Sequence, residues 1–271
     1  MATAVRQPAV AGRFYPGHRE ALLREVKQYT AISTPAPISA LGCLAPHAGY
    51  MYSGHVAGAV YARLEVPRRC VVLCPNHTGK GQPLAVMART PWQTPLGEVL
   101  PDSELGAALL SHCPDLAEDS DAHRGEHAIE VQLPFLQVRQ PELRLLPIVI
   151  GTSDLDLLQG LGNALADVIS AQKEPILIVA SSDMNHYESD AITRVKDRAA
   201  LDRVLALDPR GLWQVVMEKR ISMCGFGPAV VMLTAVKRLG ATSAELVKYA
   251  TSGDVSGDRD MVVGYAGVLV R

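Results

Sequence analysis

Three histidines each lie within a few residues of the end of a predicted buried strand. They are His47, His77 and His186, and a glycine follows the first two after two positions. A neutral imidazole is a common metal ligand, and ligands on rigid strand ends occupy fixed coordination positions. The pattern therefore predicts that His47 and His77 hold a metal ion. In the competing interpretation each histidine only caps or hydrogen-bonds its own strand end.

A two-histidine site normally takes a third, anionic ligand, and four residues are candidates. Asp183, Glu126 and Glu130 would complete the facial triad of non-haem Fe(II) oxygenases. Cys224 lies in a glycine-rich turn that opens a predicted helix. A thiol at a helix N-terminus has a lowered pKa, so Cys224 could be a thiolate ligand or a nucleophile. It could equally be a small buried hydrophobic residue, and spacing alone does not choose among the four.

Residues 123–130 are dense in ligand-type side chains and contain H-x-x-E-H, the zinc signature of inverted zincins. Gly125 lies inside this pattern and helical periodicity begins only near Glu126, so we do not expect a zinc-binding helix. A helix from Glu126 would place His127 and Glu130 on one face. There they would line a pocket or support metal ligands. The alternative is an exposed helix start with a capping glutamate.

Asp183 and His186 are separated by two residues in a predicted turn. A neighbouring carboxylate can set the tautomer and pKa of a histidine, which is what a general acid or base requires. We therefore predict that His186, oriented by Asp183, moves a proton. In the competing interpretation Asp183 caps the turn and His186 faces solvent.

Strands and helices alternate along the chain. The predicted strands are Leu41–Ala45, Cys70–Cys74, Leu143–Ile150, Ile176–Ala180, Glu245–Ala250 and Val262–Val270. The predicted helices are Gly54–Leu64, Ser103–Ser111, Glu126–Gln137 with a kink at Pro134, one capped by Thr152 or Ser153, Ala191 to about Leu207, and Pro228–Leu239.

This alternation predicts an α/β fold with one domain over residues 1–271. Continuously apolar strands indicate a central, mostly parallel or mixed sheet with helices on both faces. Ligands in such folds bind beyond the carboxyl ends of the strands. If the first two strands are neighbours joined by the Gly54–Leu64 helix, His47 and His77 lie side by side.

Composition narrows the classes of protein. The chain has 271 residues and a formal net charge of −2, so it lacks the excess of basic residues that is typical of nucleic-acid-binding proteins. No apolar run is long enough to span a bilayer, and the first residues do not resemble a signal peptide. The five cysteines are odd in number and irregularly spaced. We therefore expect reduced thiols and a cytoplasmic protein without nucleic-acid or membrane partners.

Nine motifs together resemble the Memo family in order and spacing. They are RQPAVAGRFYP, APHAGYMYSG, PNHTG, TPLG, GEHAIEVQLPFLQ, SSDMNHY, CGFGP, TSGD and VGYAG. The resemblance runs from Arg6 to Gly267, which is essentially the whole chain. Memo proteins are similar in fold to class III extradiol dioxygenases of the protocatechuate 4,5-dioxygenase type, α/β proteins that hold Fe(II) with two histidines and one glutamate.

The resemblance implies roles for particular residues. Memo proteins carry a cysteine at the position of the dioxygenase glutamate, which implies the ligand set His47, His77 and Cys224. It places His186 as the acid/base histidine with Asp183 beside it. It also puts Glu126 and His127 in the pocket wall. We further expect Tyr50 and Asn76 to line the pocket or to support the ligands.

Three functions remain open from the sequence. The first is a mononuclear non-haem oxidoreductase of dioxygenase type that acts on a small catechol-like chelating substrate. Fe(II) is the expected ion, with Cu or Zn as alternatives because a thiolate is a soft ligand. The second is a non-catalytic metal- or peptide-binding module acting through protein partners, among which the resemblance implies a radical-SAM protein. The third is a hydrolase with Cys224 as nucleophile and His186 or His127 as base, or with zinc.

Overall fold

The computed structural model describes residues 5–31 and 36–271 and shows one large mixed sheet. Its strands are β1 (Gly42–Ala45), β2 (Arg69–Pro75), β3 (Leu84–Val86), β4 (Trp92–Thr94), β5 (Gly97–Pro101), β6 (Ala117–Glu118), β7 (Arg144–Ile150), β8 (Ile176–Ser181), β9 (His186–Glu188), β10 (Ala244–Thr251) and β11 (Val262–Val270). The main path of the sheet runs β10-β11-β1-β8-β2-β7-β3-β6.

The helices connect these strands and cover the sheet. They are α1 (Arg19–Thr30), α2 (Tyr50–Ala62), α3 (Ser103–His112), α4 (Asp121–Arg124), α5 (Leu133–Arg139), α6 (Leu155–Ser170), α7 (Asp190–Leu205), α8 (Pro209–Lys219), α9 (Phe226–Arg238) and α10 (Gly253–Ser256). A 3-10 turn, Glu130–Gln132, precedes α5. No helix in the described ranges is long and apolar enough to cross a membrane.

Apolar side chains of the central strands alternate between two separate cores. In β8, Ile178 and Ala180 face a core shared with α3, α6, α7, α8 and α9. Leu177 and Val179 face the other core, shared with α1, α2 and α5. Both faces of the sheet are thus covered, which is why the strands read as continuous apolar runs. The predicted α/β class with a mixed sheet and helices on both faces is confirmed.

The first two predicted strands are not neighbours, because β8 lies between β1 and β2 and is parallel to both. Six consecutive buried residues suit β8 to this central position. Ala180 lies opposite Leu44 of β1 and opposite Leu73 of β2. The carboxyl ends of all three strands therefore reach the same level at one edge of the sheet.

The segment around Glu126 differs from the predicted helix. Residues 126 and 127 are irregular and 128–129 form a turn, and the helix begins only at Leu133 with Pro134 in its first turn. A proline is tolerated there because the first-turn amides have no partner within the helix. Pro134 therefore starts the helix instead of kinking it. The predicted shared face of His127 and Glu130 is also wrong, since Glu130 is buried against Arg6.

Helix caps and unpredicted helices account for most of the remaining differences. Asp154, not Thr152 or Ser153, caps α6 by accepting hydrogen bonds from the Asp156 and Leu157 amides. Helices α1 and α8 were not predicted from the sequence. The start of α8 is recognisable in the sequence as an N-cap aspartate followed by a proline. In the structure Asp208 accepts a hydrogen bond from the Gly211 amide.

Candidate metal centre

The ends of β1 and β2 and the start of α9 converge at the carboxyl edge of the sheet, beside the end of β8. His47 follows β1, His77 follows β2, and Cys224 immediately precedes the turn that opens α9. The His47 Nε2 atom lies 3.2 Å from the Cys224 Sγ atom. One ligand atom from each of His47, His77 and Cys224 lies within 4.8 Å of the other two. The structure therefore brings the three residues of the predicted ligand set together, although β8 separates the two histidine-bearing strands.

The turn after Cys224 packs tightly onto the end of β8. A Cβ atom on Gly225 would lie 2.4 Å from the Ser181 carbonyl oxygen and from Ser182 Cβ, so only glycine allows this approach. The Gly225 amide donates to Ser182 Oγ at 3.0 Å. The Asp183 amide donates to Cys224 Sγ at 3.3 Å. These contacts direct the sulfur towards His47.

The Cys224 thiol does not have the lowered pKa expected at a helix start. Burial of the sulfur, and then the charge of Asp183, raise its pKa above the usual cysteine value. Without a bound ion, Cys224 is a neutral thiol at neutral pH. This weighs against a free thiolate nucleophile, because the thiolate is the reactive form.

His77 is oriented by the buried carboxylate of Glu126. His77 Nδ1 donates to Glu126 Oε1 at 2.9 Å, and the His77 amide donates to Oε2 at 2.6 Å. Burial alone would raise the pKa of Glu126, but the hydrogen bonds and charge of His77 and nearby amides lower it to about 2. The ionised carboxylate holds the proton on Nδ1 and leaves His77 Nε2 as the ligand atom, an arrangement common around protein metal ions.

A second group of ligand-type residues, His77, Glu126 and His127, also lies close together. The Glu126 oxygens already accept four N–H groups, since the amides of His127 and Ala128 donate as well. A carboxylate offers about four lone-pair positions. The group therefore supports the ligands and is not a second ion site.

His127 lies against the two histidine ligands. Its ring stacks on His77 with 4.7 Å between centroids and meets His47 edge-on at 5.5 Å. Phe14 contacts its other side at 4.8 Å. Burial lowers the pKa of His127. The ring is thus a neutral wall of the candidate centre.

Asp183 and His186 do not pair as predicted. Asp183 Oδ1 accepts from the amides of His47, at 2.8 Å, and Ala48, at 3.3 Å. Its Oδ2 lies 4.0 Å from His47 Nε2. The hydrogen-bond partner of His186 is Ser222, whose carbonyl oxygen accepts from Nδ1 at 2.8 Å. The prediction that Asp183 orients His186 is therefore wrong, because the carboxylate turns back to the loop after β1.

Asp183 is a buried carboxylate next to the ligand set, and burial raises its pKa. One of its oxygens is engaged by backbone amides, whereas the other faces His47 Nε2. Asp183 is consequently placed to accept a proton beside the centre, but its oxygens are not among the ligand atoms that lie within 4.8 Å of one another.

Tyr50 and Asn76 have structural contacts. Tyr50 is 1% exposed, and its hydroxyl donates to the Val131 carbonyl at 2.8 Å. Tyr50 is therefore part of the core and does not line the pocket. Asn76 Oδ1 accepts from the amides of Thr78 and Gly79 and so shapes the loop that follows His77.

Four supporting residues were missed by sequence reasoning: Ser181, Gln132, Ser222 and Arg6. Arg6 donates to the Glu126 carbonyl at 2.6 Å, pairs with the Glu130 carboxylate and lies over the Trp92 ring. Each contact joins residues far apart in sequence, so no local spacing reveals it. Arg6, Gln132 and Ser181 lie within motifs that carry the family resemblance, whereas Ser222 lies outside them.

The donor set suits one transition-metal ion. A tetrahedral ion with bonds of about 2.1 Å to nitrogen and 2.3 Å to sulfur would place these two atoms about 3.6 Å apart. The 3.2 Å between His47 Nε2 and Cys224 Sγ is close to this separation. Fold and site thus define an α/β protein with a two-histidine, one-cysteine candidate metal centre beyond the strand ends.

Comparison with known proteins identifies the family. A family model described as Memo-like protein matches residues 6–269. The chain is 45% identical over 268 residues to a MEMO1 family protein of Methanosarcina mazei, covering 98% of this chain and 99% of that protein. It is 42% identical over 276 residues to one of Pyrobaculum aerophilum, covering 98% of each. The chain belongs to the Memo-like family, and the resemblance predicted from its motifs is confirmed.

Among solved structures, the chain matches an uncharacterized protein of Escherichia coli K12. The two share 15% sequence identity, with a TM-score of 0.49 over 82% of this chain and 98% of the other.

Proposed function

We propose that His47, His77 and Cys224 hold one transition-metal ion, and that the protein is a mononuclear oxidoreductase of dioxygenase type. Its substrate would be a small chelating molecule such as a catechol. The observation that carries this proposal is the convergence of three donor atoms within 4.8 Å of one another. Two imidazoles and a thiol form a soft to borderline set, and Fe(II) is the expected ion, with Cu or Zn as alternatives.

Fe(II) bound there would supply Lewis acidity and electrons for O₂-dependent cleavage of a chelating diol. The chain itself would supply a proton acceptor. His186 Nδ1 donates to the Ser222 carbonyl, so Nε2 carries the free lone pair. We assign to this atom the removal of a proton from a substrate hydroxyl.

Metal content decides the first half of the proposal. We expect about one iron per chain after anaerobic purification or Fe(II) loading, and its loss in His47→Ala, because this removes one of the three ligands. His112→Ala is the matched control, since His112 is an exposed histidine on α3. Retention of metal by His47→Ala would contradict the ligand assignment.

Oxygen consumption decides the second half. The iron-loaded protein should take up O₂ with at least one member of a catechol panel, and His186→Gln should slow turnover without lowering iron content. A fully loaded protein that consumes no O₂ with any member would contradict the dioxygenase assignment and leave the metal site standing.

A metal-handling module without turnover is the second candidate, and the donor set favours it. Two imidazoles and a thiol also suit Cu or Zn, and Zn has no redox chemistry of its own. The output would then be an interaction with a protein partner. Metal analysis combined with O₂ uptake distinguishes the two: Cu or Zn bound in preference to Fe(II), without O₂ uptake, supports this candidate, whereas O₂ uptake by the iron-loaded protein contradicts it.

A further inference from the structure

Ser181, the last residue of β8, lies in a fully buried cluster of hydrogen bonds next to His47. Its Oγ atom is 2.7 Å from the Ala128 carbonyl oxygen, 2.8 Å from Gln132 Nε2 and 2.9 Å from His47 Nδ1. Gln132 is also fully buried. Because the cluster is shielded from solvent, the direction of each hydrogen bond depends only on which of these groups can donate and which can accept.

The orientation of the Gln132 amide is fixed by its other neighbours. Its Nε2 lies 2.9 Å from the Pro46 carbonyl oxygen and 3.3 Å from the Ala45 carbonyl oxygen, and both are acceptors only. Its Oε1 accepts from the Tyr61 hydroxyl at 2.9 Å. An exchange of the amide nitrogen and oxygen would place oxygen against these two carbonyls. The amide nitrogen has two protons, and its two shortest contacts are with Ser181 Oγ at 2.8 Å and the Pro46 carbonyl at 2.9 Å. Gln132 therefore donates one proton to Ser181.

The directions of the remaining hydrogen bonds follow from what a hydroxyl can do: it donates one proton and accepts at two lone pairs. The proton of Ser181 goes to the Ala128 carbonyl, because a carbonyl oxygen cannot donate. One lone pair accepts from Gln132, so the other accepts from His47 Nδ1. His47 Nδ1 then carries the hydrogen, and Nε2 presents its lone pair 3.2 Å from Cys224 Sγ.

We infer that Ser181, oriented by Gln132 and the Ala128 carbonyl, is a positioning residue that fixes His47 in the Nδ1–H tautomer. The functional meaning of this tautomer rests on the proposed metal site, since it makes Nε2 the ligand atom. A histidine ligand commonly donates its second ring N–H to a fixed acceptor, and loss of that acceptor lowers metal affinity by roughly 10- to 100-fold.

The tautomer can be measured without any metal. Long-range ¹H–¹⁵N correlation spectra of the full-length protein labelled with ¹⁵N-histidine distinguish a protonated from an unprotonated ring nitrogen. The His47 signals are assigned by their loss in His47→Gln. We expect Nδ1 protonated and Nε2 unprotonated in wild type. The opposite tautomer in wild type would overturn the inference, whatever the variants do.

Two substitutions of Ser181 and one control test its part in the tautomer. Ser181→Ala should lose the single tautomer at His47 and bind metal roughly 10- to 100-fold more weakly, whereas Ser181→Thr should restore both because it keeps the hydroxyl. Ser53→Ala is the control, since Ser53 is an equally buried serine that donates to the Ala48 carbonyl. An unchanged His47 tautomer in Ser181→Ala would overturn the role of Ser181.

Failure of the proposed function is distinguishable from failure of this inference. Wild-type protein with the Nδ1–H tautomer that binds no metal supports the inference and contradicts the function. Wild-type protein that binds metal but has the opposite tautomer supports the proposed metal site and contradicts the inference.

Discussion

The two histidines of the candidate centre are supported in different ways. His47 is 2% exposed and hydrogen-bonds to a neutral hydroxyl, and burial, with His77 and His127 nearby, holds its pKa well below the usual value. His77 has 33% of its side chain exposed and bonds to an ionised carboxylate. Burial lowers the pKa of His77, but the hydrogen bond and charge of Glu126 outweigh this and raise it.

The difference shows that one centre can orient two imidazoles by unlike means. A buried neutral hydroxyl orients the His47 ring, whereas a buried charged carboxylate under the loop orients the His77 ring. A charged acceptor also makes the imidazole a more basic ligand. We call His77 with Glu126 and its supporting residues the His77 half, and His47 with Ser181 the His47 half. We expect substitutions that change charge to affect the His77 half strongly. The His47 half should be affected mainly by substitutions that remove a hydrogen-bond partner.

The largest expected effect comes from Arg6, which anchors the His77 half. Arg6→Met breaks the buried pair with Glu130 and removes the hydrogen bond to the Glu126 carbonyl. We expect a loss of about 3–5 kcal/mol in the free energy of unfolding, because an unpaired carboxylate remains buried. Urea unfolding measures it. Arg13→Met, at an exposed position of the same segment, should stay within about 0.5 kcal/mol of wild type; equal effects would refute the anchoring role.

Glu126 should give the next largest effect. Its pKa is lowered from 4.5 to about 2 in the folded protein. A lowered carboxyl pKa stabilises the fold above the unfolded pKa, and this contribution, about 3 kcal/mol, is lost as pH falls from about 4.5 towards 2. Urea unfolding of wild type and Glu126→Gln across this range tests it. The free energies of unfolding of the two proteins should differ most at neutral pH and converge in acid. A difference that stays constant with pH would contradict the prediction.

The pH dependence of metal binding separates the donors. The raised pKa of Cys224 means that the thiol must lose a proton on binding, and His77 must lose another below its own raised pKa. His47, with its lowered pKa, releases none. Affinity should rise about tenfold per pH unit above the pKa of His77 and more steeply below it. Competition between the protein and a chelator for Co(II), whose absorption reports thiolate coordination, measures it; a pH-independent affinity would exclude Cys224 as a thiolate ligand.

Tyr50 should give the smallest effect. Tyr50→Phe removes one buried hydrogen bond to the Val131 carbonyl and leaves both histidines untouched. We expect a loss of about 1 kcal/mol in the free energy of unfolding and an unchanged metal stoichiometry. A Tyr50→Phe protein that no longer loads metal would show that Tyr50 belongs to the centre.

The sequence allowed the ligand-bearing strand ends to be predicted because their signals are local. The run Cys70–Cys74 is apolar, ends at a proline and lies within the observed β2. The fold class followed from the alternation of such runs with amphipathic helices. The predicted helix from Glu126 failed for the opposite reason: the segment is held by Arg6, more than a hundred residues away in sequence.

Residue types and local spacing by themselves placed His47, His77 and His186 just beyond buried strands and indicated an α/β protein, and the resemblance of the motifs added the Memo-like family. Only the tertiary structure decided that β8 separates the two histidine-bearing strands, that Ser222 holds His186, and that Asp183 turns back towards His47. Strand order and hydrogen-bond partners depend on which distant segments pack together. A buried polar group takes whichever partner the completed fold brings within about 3 Å.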